Sequence, residues 1–379
     1  MYPRIFNPPQ SSYFLLGARG TGKSTLLKQL YPKATHINLL DESLYQSYLA
    51  DIGLFYQELS GLKKGTTVVV DEIQRLPALL NEVHRLIEEN HLKFVLSGSS
   101  ARKLRRSGVN LLAGRALNCS LHPFVPEELR RDFNLDRALS TGLIPINVRA
   151  QDPLATLKAY TQTYLKEEIQ SEALVRNLQG FARFLPIAAL YHGQILSVSA
   201  TARDAEVSRT TVEGYFSILE DTLIGFKWPA YSAKLRVREK KHPKFYFIDP
   251  GIVRALKKLY GPVAPEEKGH LFEGLLAQIL RAYKDYQDLY DEHYYWSPAD
   301  AQKTEVDFLL TRGKQTIAIE AKSKKKLSKS DFLGLEAILD LKGLERRILV
   351  YLGQKKLKVD GIEVLPFEDF CQLLSDAKL

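Results

Sequence analysis

Cysteine occurs only twice in 379 residues, at Cys119 and Cys371, and methionine once. The two thiols are read as free rather than as a disulfide or a zinc site. Each lies in an apolar context, so both are expected as buried free thiols in a reducing compartment. No apolar run reaches the ~18 residues of a spanning helix, so no membrane association is expected. The first residues, MYPRIFNPPQSS, lack the basic stretch and apolar run of a secretory leader, which points to the cytoplasm. Acids are the minority charge: 44 Asp and Glu stand against 53 Lys and Arg, a net charge of +9. That balance favours anionic partners, nucleic acid first, and says nothing about fold. With 45% hydrophobic and 26% charged residues the composition is that of a globular protein, long enough for two or three domains.

What is present begins with YFLLGARGTGKSTLLKQL, residues 13 to 30: an apolar strand, a glycine-rich loop and a helix. The loop fits G-x-x-x-x-G-K-[ST] at every fixed position. Glycines let backbone amides approach phosphates that a Cβ would obstruct, and the helix N-terminus adds positive potential. The expected nucleotide-binding set is Gly17, Ala18, Arg19, Gly20, Thr21, Gly22, Lys23, Ser24 and Thr25. Lys23 is suited to the β- and γ-phosphates, and the Ser24 hydroxyl to Mg²⁺. The bland alternative is a glycine turn without nucleotide. TTVVVDEIQRLP, 66 to 77, is a β-branched run ending in two acids, as a strand buried on both sheet faces would be. Asp71 is expected to bind Mg²⁺ through water, and Glu72 to orient the attacking water. Ser97, in KFVLSGSS, stands where a γ-phosphate sensor would, or is a simple helix cap. Arg115, in LLAGRALN, is a candidate arginine finger acting on a neighbouring subunit.

GARGTGKST, VVVDEIQRLP, LSGSSARKL and LAGRA, in this order and spacing, resemble the AAA-like ATPases of bacteria and archaea, relatives of the archaeal ATPase group. Members commonly carry a C-terminal region catalogued as a domain of unknown function. The resemblance covers essentially the whole chain. It implies ATP and Mg²⁺ as ligands and P-loop strands near 13–16, 35–39, 67–71, 93–97 and 116–121, with the helical segment 125–140 closing a domain of residues 1–140.

The middle, 141–255, reads as a helical linker and a winged helix. Segments 157–170 and 178–193 carry apolar residues at helical spacing. In 197–224 a short helix, a turn at Val207–Ser208 and a longer helix follow, the last with Val212, Tyr215, Phe216 and Leu219 on one face. Thr210 and Glu213 suit a capping box. GFKWPAYS and KFYFIDP are expected strands joined by the basic run KLRVREKKHPK, 234 to 244. Arg209, Thr210 and Thr211 would face DNA and the basic wing its phosphates, unless the module docks a protein or is purely structural. HPKFYFIDPGI also matches a hallmark of the resembled C-terminal region.

Residues 256–379 show an αβββαβ order: a helix over 266–283, strands near 293–298, VDFLLT and QTIAIEAK, a helix over 329–341 and a strand over 346–353. This is the order of the PD-(D/E)xK nuclease core. Asp307 lies on one strand, and Glu320 and Lys322 lie two apart on the next, so they share a face. Asp307, Glu320 and Glu273 are the expected ligands of Mg²⁺ or Mn²⁺, with Lys322 orienting water or balancing charge. A solvated hairpin is the alternative. The fold class expected is thus α/β: a P-loop NTPase parallel sheet, a winged-helix module and an α/β PD-(D/E)xK nuclease-like domain. The functional expectation is a homo-oligomeric ATPase whose ATP hydrolysis controls engagement of duplex or branched DNA, with metal-dependent cleavage a separate question. The rivals are a nucleotide-dependent signalling switch whose C-terminal half recognises a protein, and a transcriptional regulator.

Overall fold

The computed structural model describes residues 2–100, 112–164, 177–232, 239–299 and 304–379. Two compact units emerge: Arg4–His122 with Ile218–Ile224, and the remainder of the chain.

In the first unit the order is β1 (Ser12–Leu16), α1 (Lys23–Leu30), β2 (Thr35–Asn38), α2 (Glu42–Ala50), α3 (Gly53–Leu59), β3 (Thr67–Asp71), α4 (Leu79–Asn90), β4 (Lys93–Gly98) and β5 (Ala116–Ser120). The strands form a five-stranded sheet, β2-β3-β4-β1-β5, with every pair parallel. They match the expected strands to within a residue at each end. Val68, Val69 and Val70 are fully or almost fully buried, as strands covered on both faces require. Helix α4 contributes Leu79, Leu80, Val83 and Leu86, three and four apart, to a core shared with Phe14, Phe55 and Phe94. Burial of each such side chain is worth roughly 1.5–3 kcal/mol. One consequence of the strand order positions the site. β4 lies between the loop-bearing β1 and the acid-bearing β3, so residues at its carboxyl end face both.

In the second unit, α5 (Leu178–Leu190), β6 (Gln194–Ile195), α6 (Val198–Asp204), α7 (Arg209–Asp221, of which the end from Ile218 groups with the first unit), β7 (Gly225–Trp228) and β8 (Lys244–Phe247) follow one another. The three strands make a small antiparallel sheet, β6-β8-β7. Val212, Tyr215, Phe216 and Leu219 of α7 are buried as expected, with Phe216 edge-on to Phe245 at 4.8 Å between centroids. The cap differs from expectation. The helix starts at Arg209, and the Ser208 hydroxyl, one residue before it, accepts the Thr211 amide at 3.1 Å. Thr210 therefore lies inside the first turn and cannot cap it.

Then come α8 (Pro250–Leu256), α9 (Pro265–Gln287), β9 (Glu292–Trp296), β10 (Val306–Arg312), β11 (Gln315–Lys322), α10 (Leu333–Ala337), β12 (Leu344–Tyr351), β13 (Leu357–Val359), β14 (Ile362–Pro366) and α11 (Phe367–Ser375). The strands form a mixed six-stranded sheet, β13-β14-β12-β11-β10-β9. Its β10–β11 hairpin turns at Gly313, whose φ of 59° suits glycine. The helix expected over 329–341 is shorter: a 3₁₀ turn at Lys329–Asp331, then α10. The small sheet is stitched to the large one. The Tyr231 amide donates to the Tyr295 carbonyl at 2.7 Å, the Tyr295 amide to Pro229 at 2.9 Å, and Trp228 packs on His293 and Phe308.

Segment 125–140, expected to close the first domain, is packed in the second unit, where the Tyr283 hydroxyl donates to Glu127 at 3.0 Å. Cys371 is buried, but Cys119 on β5 is only part-buried. The expected helix through 170 and the first part of the basic run, 234–238, lie partly or wholly outside the described residues. Among the described residues no helix is long and apolar enough to cross a membrane.

Candidate functional site

At the carboxyl end of β1 the chain turns through Gly20 (φ 83°) and Gly22 (φ 88°) into α1. A Cβ on Gly17 would sit 2.4 Å from the Leu121 carbonyl oxygen, so only glycine fits there. Lys23, buried at the start of α1, turns back over the loop and donates to the Gly17 carbonyl at 2.7 Å and the Ala18 carbonyl at 3.3 Å. The Thr21 hydroxyl donates to the Ala18 carbonyl at 2.7 Å and closes the turn. Arg19 and Ser24 are exposed; Gly20 and Thr25 are half-buried. The loop is a concave run of backbone with a helix N-terminus behind it, a fit for polyphosphate.

Beside it, β3 ends in Asp71, and Glu72 follows in the left-handed region at φ 61°. That conformation is uncommon for a carboxylate residue and aims Glu72 away from the strand line. Its position is held. Gln74 Nε2 and the Ser99 hydroxyl, at 3.1 Å, both donate to Oε2 of Glu72, and Gln74 Nε2 also reaches Ser99 at 2.9 Å. Gly98 permits this, since a Cβ there would lie 2.8 Å from the Gln74 amide oxygen. Fully buried Ser97 donates its hydroxyl to Asp71. The serine cluster ending β4 therefore braces both acids. The sequence singled out Ser97 as a sensor, but not Gln74 or Ser99 as supports of Glu72. Their only sequence signal is position, two residues past the acid pair and at the end of the intervening strand. Arg115 lies just before β5 and pairs with Glu88.

The second cluster lies in the second unit. Glu273 on α9, Asp307 on β10, and Glu320 and Lys322 on β11 do converge, but around a residue read from sequence as part of the basic wing. Lys244 on β8 is 1% exposed, and its ammonium donates to Glu273 at 2.8 Å, Asp307 at 3.1 Å and Glu305 at 3.4 Å. The Tyr246 hydroxyl, two residues on, donates to Glu273 at 2.5 Å. Asp307 Oδ2 accepts the Ala321 amide at 3.0 Å; Glu320 accepts the Asp307 amide at 3.3 Å and the Lys322 ammonium. Burial and the neighbouring Asp307 push Glu273 up to about 7 and Glu320 well above the ordinary carboxylate range. Asp307, against the pull of its burial, is held low by Lys244 and Lys322. Lys244, likewise buried, is kept well above its ordinary value by Glu273 and the groups around it.

The carboxylates expected as a metal set, Glu273, Asp307 and Glu320, are engaged within the chain. These carboxylates have donors already: an ammonium, a phenol, backbone amides and a second ammonium. None of the buried side-chain atoms left without a partner belongs to the cluster. Among the described residues no group of three or more His, Cys, Asp or Glu side chains is arranged to hold a metal ion. A divalent cation needs free oxygens at about 2.0–2.6 Å, and these residues do not fit it while Lys244 is present.

Comparison with known proteins finds three family matches along the chain. Residues 9–130 match the family model described as AAA domain. Residues 132–262 and 268–370 match two models each described as a domain of unknown function, DUF8612 and DUF4143. An uncharacterized protein of Mycobacterium tuberculosis is 26% identical, over 93% of this chain and 79% of its own. One from Methanocaldococcus jannaschii is 26% identical, over 98% of this chain and 86% of its own. Among solved structures, the Aeropyrum pernix ORC1 protein in complex with DNA is similar over 66% of this chain and 87% of its own, at 15% identity and a TM-score of 0.31. The five-stranded parallel sheet and its glycine-rich loop lie within residues 9–130, the stretch that matches the AAA domain model.

Proposed function

We propose that the protein hydrolyses ATP at the β1–α1 loop and uses the cycle to control how its C-terminal half engages DNA. The observation that carries the reading is the meeting of the loop, Asp71 and Glu72 at the carboxyl ends of β1 and β3, the parallel strands on either side of β4, the place where open α/β sheets bind ligands. The loop amides and Lys23 would hold the phosphates. The Ser24 hydroxyl and the Asp71 carboxylate would hold Mg²⁺, which supplies charge neutralisation on the phosphate oxygens when bound. Glu72, braced by Gln74 and Ser99, orients the attacking water and accepts its proton. Ser97 would report the γ-phosphate by exchanging its bond to Asp71, and Arg115 would leave Glu88 to act on a neighbouring protomer of a homo-oligomer.

DNA is the proposed partner, duplex or branched. Support comes from the helix–turn–helix α6–α7, whose Arg209 and Thr210 are exposed, and from exposed Lys241, Lys325, Lys326 and Lys329. A wing on phosphates would use Lys240 and Lys241; Lys244 is withdrawn from that role by its burial. One observation favours the rival reading of a protein-recognising switch: exposed Asp204, Glu206 and Glu213 interleave with Arg203 and Arg209 along these two helices and the turn between them. Mixed charge of that kind suits a protein surface better than a phosphate backbone.

Nucleotide binding and turnover test the ATPase reading directly. Lys23→Ala is expected to lose ATP affinity. Glu72→Gln is expected to bind ATP normally and turn over about 100-fold more slowly or worse, because proton acceptance and water positioning are removed. Turnover by Glu72→Gln at the wild-type rate would reject the assignment.

A further inference from the structure

The acids on α9, β10 and β11 look, by residue type, like ligands awaiting a divalent cation. The geometry points to a different state: we infer that the Lys244 ammonium stands where a divalent cation would stand among Glu273, Glu305 and Asp307, so that the chain itself supplies the cation of the cluster, which binds no metal.

The argument rests on number, distance and direction. An ammonium has three N–H donors and no acceptor. Lys244 directs its ammonium at three carboxylates, at 2.8, 3.1 and 3.4 Å, which are hydrogen-bond and ion-pair lengths. Its side chain is 1% exposed, whereas Glu273 and Asp307 are 10% and 4% exposed, so the group sits among the acids rather than above them. The aromatic wall completes the enclosure: Lys244 lies 5.5 Å from the Tyr295 ring centroid. A metal at this place would have to displace the ammonium from these contacts. It would also have to take Glu273 from Tyr246 and Asp307 from the Ala321 amide.

The origin of the lysine adds a second consequence. Lys244 and Tyr246 are two apart on β8, so both project from one face of the small sheet onto Glu273 of α9. The internal cation thereby ties the small antiparallel sheet to the large mixed one. A metal would join only α9, β10 and β11; the lysine adds β8 to that junction.

Mn²⁺ binding to the full-length, nucleotide-free protein tests the inference, read by the paramagnetic resonance of unbound Mn²⁺. Wild type is expected to show no stoichiometric Mn²⁺ site that disappears on Asp307→Asn. Lys244→Met, which keeps the length of the side chain without its charge, is expected to gain a stoichiometric Mn²⁺ site, lost again in Lys244→Met combined with Asp307→Asn. A wild-type Mn²⁺ site abolished by Asp307→Asn would overturn the inference. So would a folded Lys244→Met protein that takes up no Mn²⁺. If Lys244→Met fails to fold, the wild type and Asp307→Asn comparison decides alone.

Discussion

At the scale of single residues, Lys244 shows where sequence reading runs out. In KLRVREKKHPK it closes a basic run, and basic runs are ordinarily solvated. Its partners lie 29 and 63 residues further on, beyond any local pattern. A strand period of two would have paired it with Tyr246, but β8 is buried throughout, so alternation of burial gave no cue. The loop residues, by contrast, were legible because each fixed glycine answers a local backbone demand: Gly17 by close approach, Gly20 and Gly22 by positive φ. Two outcomes follow for the buried cluster. Lys244→Met leaves Glu273 and Asp307 without their counter-charge and is expected to cost about 3–5 kcal/mol in chemical unfolding. A pH dependence is also expected. Glu273 is raised from 4.5 to about 7 in the fold, so between those values the native chain holds a proton that the unfolded chain has released. Stability is then fullest below about 4.5 and is lost as pH rises through 7. Glu273→Gln should flatten the part of the unfolding profile between pH 4.5 and about 7 that this group supplies; an unchanged slope would contradict the assignment.

At the scale of elements, the parallel strands and α7 were readable from sequence because burial patterns act locally. Val68–Val70 need a strand covered on both faces, and Val212, Tyr215, Phe216 and Leu219 need a helix with one buried stripe. Boundaries and caps were less readable. Thr210 and Glu213 have the spacing of a capping box, yet Ser208 takes the role, because the turn after α6 places its hydroxyl against the Thr211 amide. Ser208→Ala is therefore expected to destabilise by about 1 kcal/mol, and Thr210→Ala by much less. The order of strands in the first sheet was not readable either. Packing β4 between β1 and β3 is what lets Ser97 and Ser99 brace Asp71 and Glu72.

At the scale of the whole molecule, the C-terminal half carries two dense basic runs, KLRVREKKHPK at 234–244 and KSKKKLSK at 322–329. If that half tracks phosphates, DNA affinity falls steeply with salt, and charge reversal at Lys240 and Lys241 makes the dependence shallower by about one power of salt per lost contact. Salt-independent binding, or none, would favour the protein-recognising switch. The central claim is that the nucleotide state sets DNA engagement. The most direct measurement is DNA affinity of Glu72→Gln at one salt concentration, with and without ATP, across duplex, single-stranded, forked and four-way substrates. Affinity for at least one substrate is predicted to change about tenfold or more, at least 1.4 kcal/mol of coupling, and the change is predicted to vanish when Lys23→Ala is added. Equal affinities with and without ATP on every substrate, in a protein shown to bind ATP, would contradict the account.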